Sequence, residues 1–418
     1  MQSRIRRVAR SYQGLDRRIW TLAAVRGINT MGLSLVLSFM GIYLVTERGV
    51  SGVAFGAIYF VANVCQAATN TYAGALSDRL GRRRLMVWAL LARVSIIALL
   101  GALVLAHAPI PVLAVVLIAS ASLRGGFEPV AYAVVADLAT PPQRIPAFAL
   151  QRVGINVGWA IGPALGGVLS SIVDYGLVFF CSVVPLFFSA LAIARMAEPA
   201  PPAAVDHPED RRVSMRAALA EARARGELLL LLACALVFAI VQVQLFSTLS
   251  LYAKSELGLA NGEIGLLYTI NGVLVVVLQI PALALIARLT ADRALVAGCA
   301  IYTVALLAIG LADAHTIGLA VALATMGEVV LAPAQQATVA ELADAGHLGR
   351  AFGLFGTMQM LGVALALPVG GVVYDHLRHR PLAMWGVLAA LAGILVLGYA
   401  RFGVLHRRRT ATSDKTSG

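Results

Sequence analysis

Twelve long apolar stretches constrain the fold of this chain more than any other feature. Each matches the length of about 20 mostly apolar residues that crosses a bilayer. The 418 residues are 60% hydrophobic and 13% charged, whereas a soluble domain has roughly 25% charged residues. The stretches lack the alternation of barrel strands, so we predict an all-α integral membrane protein with twelve transmembrane helices. The predicted spans are 19–46, 52–77, 85–106, 111–137, 145–171, 176–195, 228–254, 262–288, 294–312, 316–341, 348–373 and 382–402.

The net charge of +12 is distributed unevenly between the loops. Twelve spans return the chain to its starting side, and the loops and termini on that side carry 25 of the 33 Lys and Arg residues, against four on the other side. Positive residues accumulate on the cytoplasmic side, so we predict cytoplasmic termini and expect no nucleic-acid partner. The Arg- and Ala-rich composition, with only two lysines, suggests a GC-rich bacterial genome and therefore a bacterial inner membrane.

The chain repeats itself at about half its length. Equivalent positions recur at an offset of 209 and later of 204, as in Tyr43 and Tyr252 or in Pro129 and Pro333. We predict two pseudo-symmetric six-helix bundles with a binding site between the repeats near the midplane, and rocking that exposes the site to each side in turn. The predicted segments are an N-terminal bundle 1–195, a cytoplasmic linker 196–227 with an amphipathic helix, a C-terminal bundle 228–405 and a basic tail 406–418.

The loop after the second span has the sequence Gly-Ala-Leu-Ser-Asp-Arg-Leu-Gly-Arg-Arg-Arg over residues 74–84. It resembles the G-x-L-x-D-R-x-G-R-R loop of the major facilitator superfamily, in which the loop latches the two halves on the cytoplasmic side. An aspartate there can face the positive N-terminus of a helix, and Arg82 can pair with a nearby carboxylate. The resemblance implies a cytoplasmic gate of Gly74, Asp78, Arg79, Gly81, Arg82, Asp137 and Arg144.

The fifth span carries a second motif, with small residues every fourth position. Such spacing lets helices approach closely. The pattern G-x-x-x-G-P-x-x-G-G is also similar to the antiporter motif of exporters in the superfamily, and the whole chain most resembles the twelve-span drug:proton antiporters. The resemblance favours export over uptake. The motif residues are Gly158, Gly162, Pro163, Gly166 and Gly167.

Six charged residues lie in the interior of predicted spans, away from the span ends, where such groups are costly and indicate function. Counting about 1.5 Å per residue from the cytoplasmic helix ends places Arg26, Arg93, Glu128 and Arg152 roughly 12–14 Å deep. The same count places Arg124 and Glu328 about 20 Å deep, near the midplane. We therefore name Glu328, Glu128 and Arg124 as candidates for proton coupling, each with the alternative of a purely structural ion pair.

The polar residues on the same helices are candidates for lining a substrate cavity, with interhelical hydrogen bonds as the alternative for each. This set comprises Arg26, Asn29, Arg152, Asn156, Gln244 and Asn271. An excess of arginines over glutamates inside the spans favours an anionic substrate, unless some of these arginines pack only on structural acids.

The sequence contains no nucleotide-binding loop, nucleophile constellation or metal-ligand spacing, so we expect neither an enzyme nor a metal site. We predict a monomeric secondary transporter with no cofactor, driven by the proton gradient, whose partners are a small-molecule substrate, protons and the bilayer. Proton-coupled export of drug-like amphiphiles is the leading hypothesis. The alternatives are an exporter or flippase of an anionic amphiphile such as a lipid or siderophore, a solute:proton symporter, and a transporter-like protein that no longer cycles.

Overall fold

A computed structural model describes residues 14–140, 143–197, 225–286, 289–342 and 348–416. Its helices form twelve segments that are long and apolar enough to cross a membrane. The prediction of twelve membrane-spanning helices is therefore confirmed. The proposed linker helix falls almost wholly outside the described residues.

The first six spans are built from eight α-helices. Span 1 ends in a π-helical turn, Tyr43–Glu47, and spans 4 and 6 are each made of two helices that meet at a break. In chain order the helices are α1 (Arg17–Ile42), α2 (Gly52–Leu80), α3 (Arg82–Leu105), α4 (Ile110–Gly125), α5 (Glu128–Leu138), α6 (Arg144–Ser170), α7 (Tyr175–Cys181) and α8 (Val183–Ala194).

The last six spans are built from seven helices, and here span 7 is the broken one. The final helix extends to the end of the described chain, so residues that we predicted as a separate tail continue the helix of span 12. The helices are α9 (Gly226–Val243), α10 (Thr248–Ser255), α11 (Asn261–Ile286), α12 (Ala291–Leu311), α13 (Ile317–Leu342), α14 (Leu348–Leu377) and α15 (Pro381–Thr416).

Helix pairing repeats between the two sets of six spans. Span 1 packs on span 5 and span 3 packs on spans 4 and 6, and the equivalent pairs form between spans 7 and 11, 9 and 10, and 9 and 12. The same neighbours therefore recur in both halves, as expected if the sequence repeat encodes one structural unit twice.

The chain separates into two compact units whose limits differ from the sequence halves at two short segments. Residues 50–56, at the start of α2, belong to the second unit, and residues 260–272, at the start of α11, belong to the first. In the second unit the carboxylate of Asp375 accepts hydrogen bonds from the backbone N–H groups of Gly52 (2.8 Å) and Val53 (2.9 Å). Asp375 thus caps α2, because the first N–H groups of a helix have no partner within it.

Candidate functional site

A break in span 4 defines the candidate site of the first unit. We predicted one continuous helix over 111–137, but α4 ends at Gly125 and α5 begins at Glu128. Two successive glycines and Pro129 after them explain the break, because neither residue type supports a helix interior. This signal was present in the sequence. The break places Arg124 in the last turn of α4 and Glu128 in the first turn of α5, where each charge is stabilised by the dipole of its helix.

An ion pair joins the start of α5 to α1. Nη2 of Arg26 lies 2.6 Å from Oε2 of Glu128. Arg26 is only 1% exposed and the Glu128 side chain 23% exposed. The guanidinium of Arg26 also stacks on Tyr132, one turn along α5, with 3.8 Å between the guanidinium carbon and the ring centroid. Glu128 is therefore paired, as the structural alternative for this residue predicted.

Two further arginines lie in the same region. Nη1 of Arg93, on α3, donates a hydrogen bond of 2.6 Å to Oδ1 of Asn29, one turn beyond Arg26 on α1. Arg93 is 1% exposed, and it interacts electrostatically with both Arg124 and Glu128. We call Arg26, Arg93, Arg124 and Glu128 the buried charge cluster. Helices of three spans bring it together: α1 of span 1, α3 of span 3, and α4 and α5 of span 4.

The second unit holds the other candidate for proton coupling. Glu328 lies on α13, partly buried, and its Oε1 accepts a hydrogen bond of 2.7 Å from Nε2 of Gln242 on α9. A neutral amide thus holds this carboxylate, in contrast to the guanidinium that holds Glu128. Arg124 and Glu328, which are equivalent by sequence offset, belong to different units.

The cytoplasmic gate residues are partly described. Arg82, in the first turn of α3, forms an ion pair with Asp137 near the end of α5, as the sequence predicted. Gly81 caps α3 with φ +88°, a conformation that residues with a side chain rarely adopt. Arg79 is exposed. The Gly74 and Asp78 positions on α2 and the Arg144 position on α6 lie outside the residues whose surroundings the structure describes.

The glycines of the second motif lie where α6 packs on α1. A methyl group at Gly158 would lie 2.8 Å from the Cβ of Thr30, and one at Gly166 would lie 2.7 Å from the ring of Phe39. Gly162 faces Ser34 and Met31, also on α1. Gly167 instead approaches Gly265 near the start of α11, while Pro163 lies inside α6. Close helix packing, the structural interpretation of the motif, thus accounts for each glycine.

The remaining cavity candidates differ in their surroundings. Arg152 is exposed on α6 and Asn156 is partly buried, while Asn271 is 8% exposed. Gln244 is fully buried, and its Nε2 donates hydrogen bonds of 2.8 Å to the carbonyl oxygens of Ile240 and Ala366. We therefore place Gln244 among the residues that join α9 to α14, because a buried amide bonded to backbone carbonyls is not available to a substrate.

Comparison with known proteins gives a consistent family. The sequence model of the Major Facilitator Superfamily matches residues 22–358 and 245–417. The uncharacterized MFS-type transporter YqjV of Bacillus subtilis (strain 168) is 24% identical over 401 residues, 95% of each chain. The multidrug resistance protein MdtH of Cronobacter sakazakii (strain ATCC BAA-894) is 26% identical over 372 residues, 86% of this chain and 88% of that one.

A solved structure shares the fold. It is a bacterial homolog of the human lysosomal transporter Spinster, in an inward-facing and unoccupied conformation, which superposes with a TM-score of 0.75 at 16% sequence identity. The match covers 94% of this chain and 98% of the other.

Proposed function

The chain belongs to the major facilitator superfamily of transporters, and we propose that it exports an amphiphilic small molecule in exchange for protons. Membership of the family makes it a multi-pass membrane transporter. The direction of transport, the coupling ion and a location in a bacterial inner membrane are parts of the proposal. Two points support export: the likeness of residues 158–167 to the antiporter motif, and the name of the relative MdtH, a multidrug resistance protein.

The environment of Glu328 is the observation that carries proton coupling. Its carboxylate lies within an apolar helix that ends at Leu342, and one group that binds it is the amide of Gln242. An amide can donate to an ionised carboxylate and can equally accept from a protonated one, so Glu328 keeps a partner in both states. A partly buried carboxylate with two supported protonation states suits a group that binds and releases a proton in each transport cycle.

Transport in proteoliposomes tests the proposal. The purified protein is reconstituted, a pH gradient is imposed, and efflux of cationic and anionic fluorescent amphiphiles is followed together with proton movement. We expect substrate-dependent collapse of the gradient with the wild type and its loss in Glu328→Gln, which retains the hydrogen-bonding shape but has no titratable proton. Glu47→Gln changes an exposed acid and serves as the matched control.

Proton-driven efflux that is unchanged in Glu328→Gln would remove Glu328 from the mechanism. Movement of amphiphiles that does not respond to the pH gradient would contradict proton exchange itself.

A further inference from the structure

The buried charge cluster carries more positive than negative charge. It contains three guanidinium groups and one carboxylate, and arginine stays protonated in proteins, so an excess of two positive charges persists. Glu128 is engaged by Arg26 at 2.6 Å. Arg93 interacts electrostatically with Arg124, which has the same charge, and with Glu128. The carboxylate of Glu128 already has a close partner in Arg26.

Several hydrogen-bond donors of the cluster have no acceptor among the described residues. These atoms are Nε and Nη1 of Arg26, Nε of Arg93 and Nε of Arg124, and all four are buried. Among the described residues, the acceptor that Nη1 of Arg93 contacts is the neutral oxygen of Asn29. A buried charged group normally finds both a counter-charge and hydrogen-bond partners, because leaving it unpaired is costly. The cluster lacks an anion with several acceptor oxygens.

An aromatic surface continues from the charged region. Tyr132, which stacks on Arg26, is 42% exposed, and its ring lies 6.0 Å from that of Phe148 on α6. Arg26 thus contacts the carboxylate of Glu128 and the ring of Tyr132, and the ring of Phe148 lies next to that of Tyr132. A ligand that combines an anionic group with an apolar body matches this arrangement, since the rings can contact the body while the guanidinium groups bind the head group.

We propose that the buried charge cluster binds the oxyanion head group, a carboxylate or a phosphate, of the amphiphile that the protein transports. That the bound amphiphile is transported rests on the proposed function, whereas its binding to the cluster does not. Arg93 and Arg124 bind the head group, and Arg26 contributes the donors that Glu128 leaves unused.

Equilibrium binding to the full-length protein tests this site. The protein is placed in nanodiscs of zwitterionic phosphatidylcholine, with empty nanodiscs as the blank. Four probes are titrated by calorimetry: decyl phosphate, decanoate, decyltrimethylammonium and inorganic phosphate. We expect decyl phosphate and decanoate to bind and the cation of equal chain length not to bind. Arg93→Gln and Arg124→Gln should each weaken anion binding about ten- to hundredfold.

Arg195→Gln supplies the matched control, because Arg195 is an exposed residue at the end of α8 in the same unit, and it should bind as the wild type does. The charge-retaining variants Arg93→Lys and Arg124→Lys should keep part of the affinity, and they provide the test if a glutamine variant fails to fold. Equal binding of the cation, or anion binding that none of the cluster variants weakens, would overturn the proposal.

Inorganic phosphate distinguishes two sources of the oxyanion. If it binds as tightly as decyl phosphate, the site takes a free oxyanion and the assignment to an amphiphile fails. Anion-selective binding without movement in proteoliposomes would support the site and count against the proposed function. Proton-driven efflux without anion-selective binding would do the reverse.

Discussion

Individual charges in this protein have unequal surroundings, and those surroundings separate their roles. Glu128 has a guanidinium partner, whereas Glu328 is held by an amide. This contrast supports the proposal that Glu328 couples protons, whereas the carboxylate of Glu128 forms an ion pair with Arg26.

The ion pair of Arg26 and Glu128 gives a prediction about stability. Arg26→Met leaves Glu128 without its close cation, and we expect a loss of about 2–3 kcal/mol, below the ~3–5 kcal/mol of a fully buried pair because Glu128 is partly exposed. Adding Glu128→Met should restore much of that loss. The melting temperatures of both variants are measured in detergent, with unfolding monitored by size-exclusion chromatography. If the stability loss of the double variant equals the sum of the losses of the two single variants, the two residues do not act as a pair.

At the scale of helices, small residues decide how closely two spans approach. Gly154, Gly158 and Gly162 lie at four-residue spacing on α6 and bring its backbone against α1. The hydroxyl of Ser34 donates to the carbonyl oxygen of Gly158 at 3.1 Å. A bulkier residue at position 158 would keep the two helices too far apart for this hydrogen bond. Interfaces of this kind depend on van der Waals packing, since lipid supplies no hydrophobic drive between helices.

A matched pair of alanine substitutions tests this packing. In Gly158→Ala the added methyl group meets the backbone of Gly27 and Met31, and we expect a loss of about 1–3 kcal/mol, as for overpacked cores. In Gly386→Ala the methyl group meets nothing within 4 Å, and the lower entropy of the unfolded chain should leave stability unchanged or raised by up to about 1 kcal/mol. Equal melting temperatures for the two variants would contradict the role assigned to Gly158.

The whole molecule repeats one six-span arrangement, yet its two copies differ in charge. The helix pairs match between the halves, whereas the buried charge cluster belongs to the first unit and Glu328 to the second. We infer that the first half binds the substrate head group and the second half binds the proton. Because the two sites are separate, the helix pairs of each half can stay the same while its buried charged residues differ.

The orientation of the whole chain is open to a labelling test. With the four cysteines replaced by alanine, we expect Arg380→Cys to react with an impermeant maleimide in right-side-out vesicles. Ser413→Cys should react only in inverted ones, because the tail side carries most Lys and Arg residues. The opposite pattern would place the termini outside and would contradict the predicted topology.

The linear sequence was enough to predict the twelve spans and the repeated helix pairing. Each of these depends on local quantities: the length of an apolar run and the spacing of equivalent residues. The sequence also predicted that Arg82 pairs with a nearby carboxylate and included Asp137 among the gate residues. The structure pairs these two residues with each other.

Tertiary structure decided which buried charges meet. Hydropathy gives the depth of a residue but not the rotation of its helix, because a fully apolar helix has no polar face to orient it. The ion pair of Arg26 with Glu128, the hydrogen bond of Arg93 to Asn29 and that of Gln244 to α14 therefore depend on how the helices pack side by side. The excess positive charge and the unpartnered arginine nitrogens, on which the proposed anion site rests, are likewise properties of that packing.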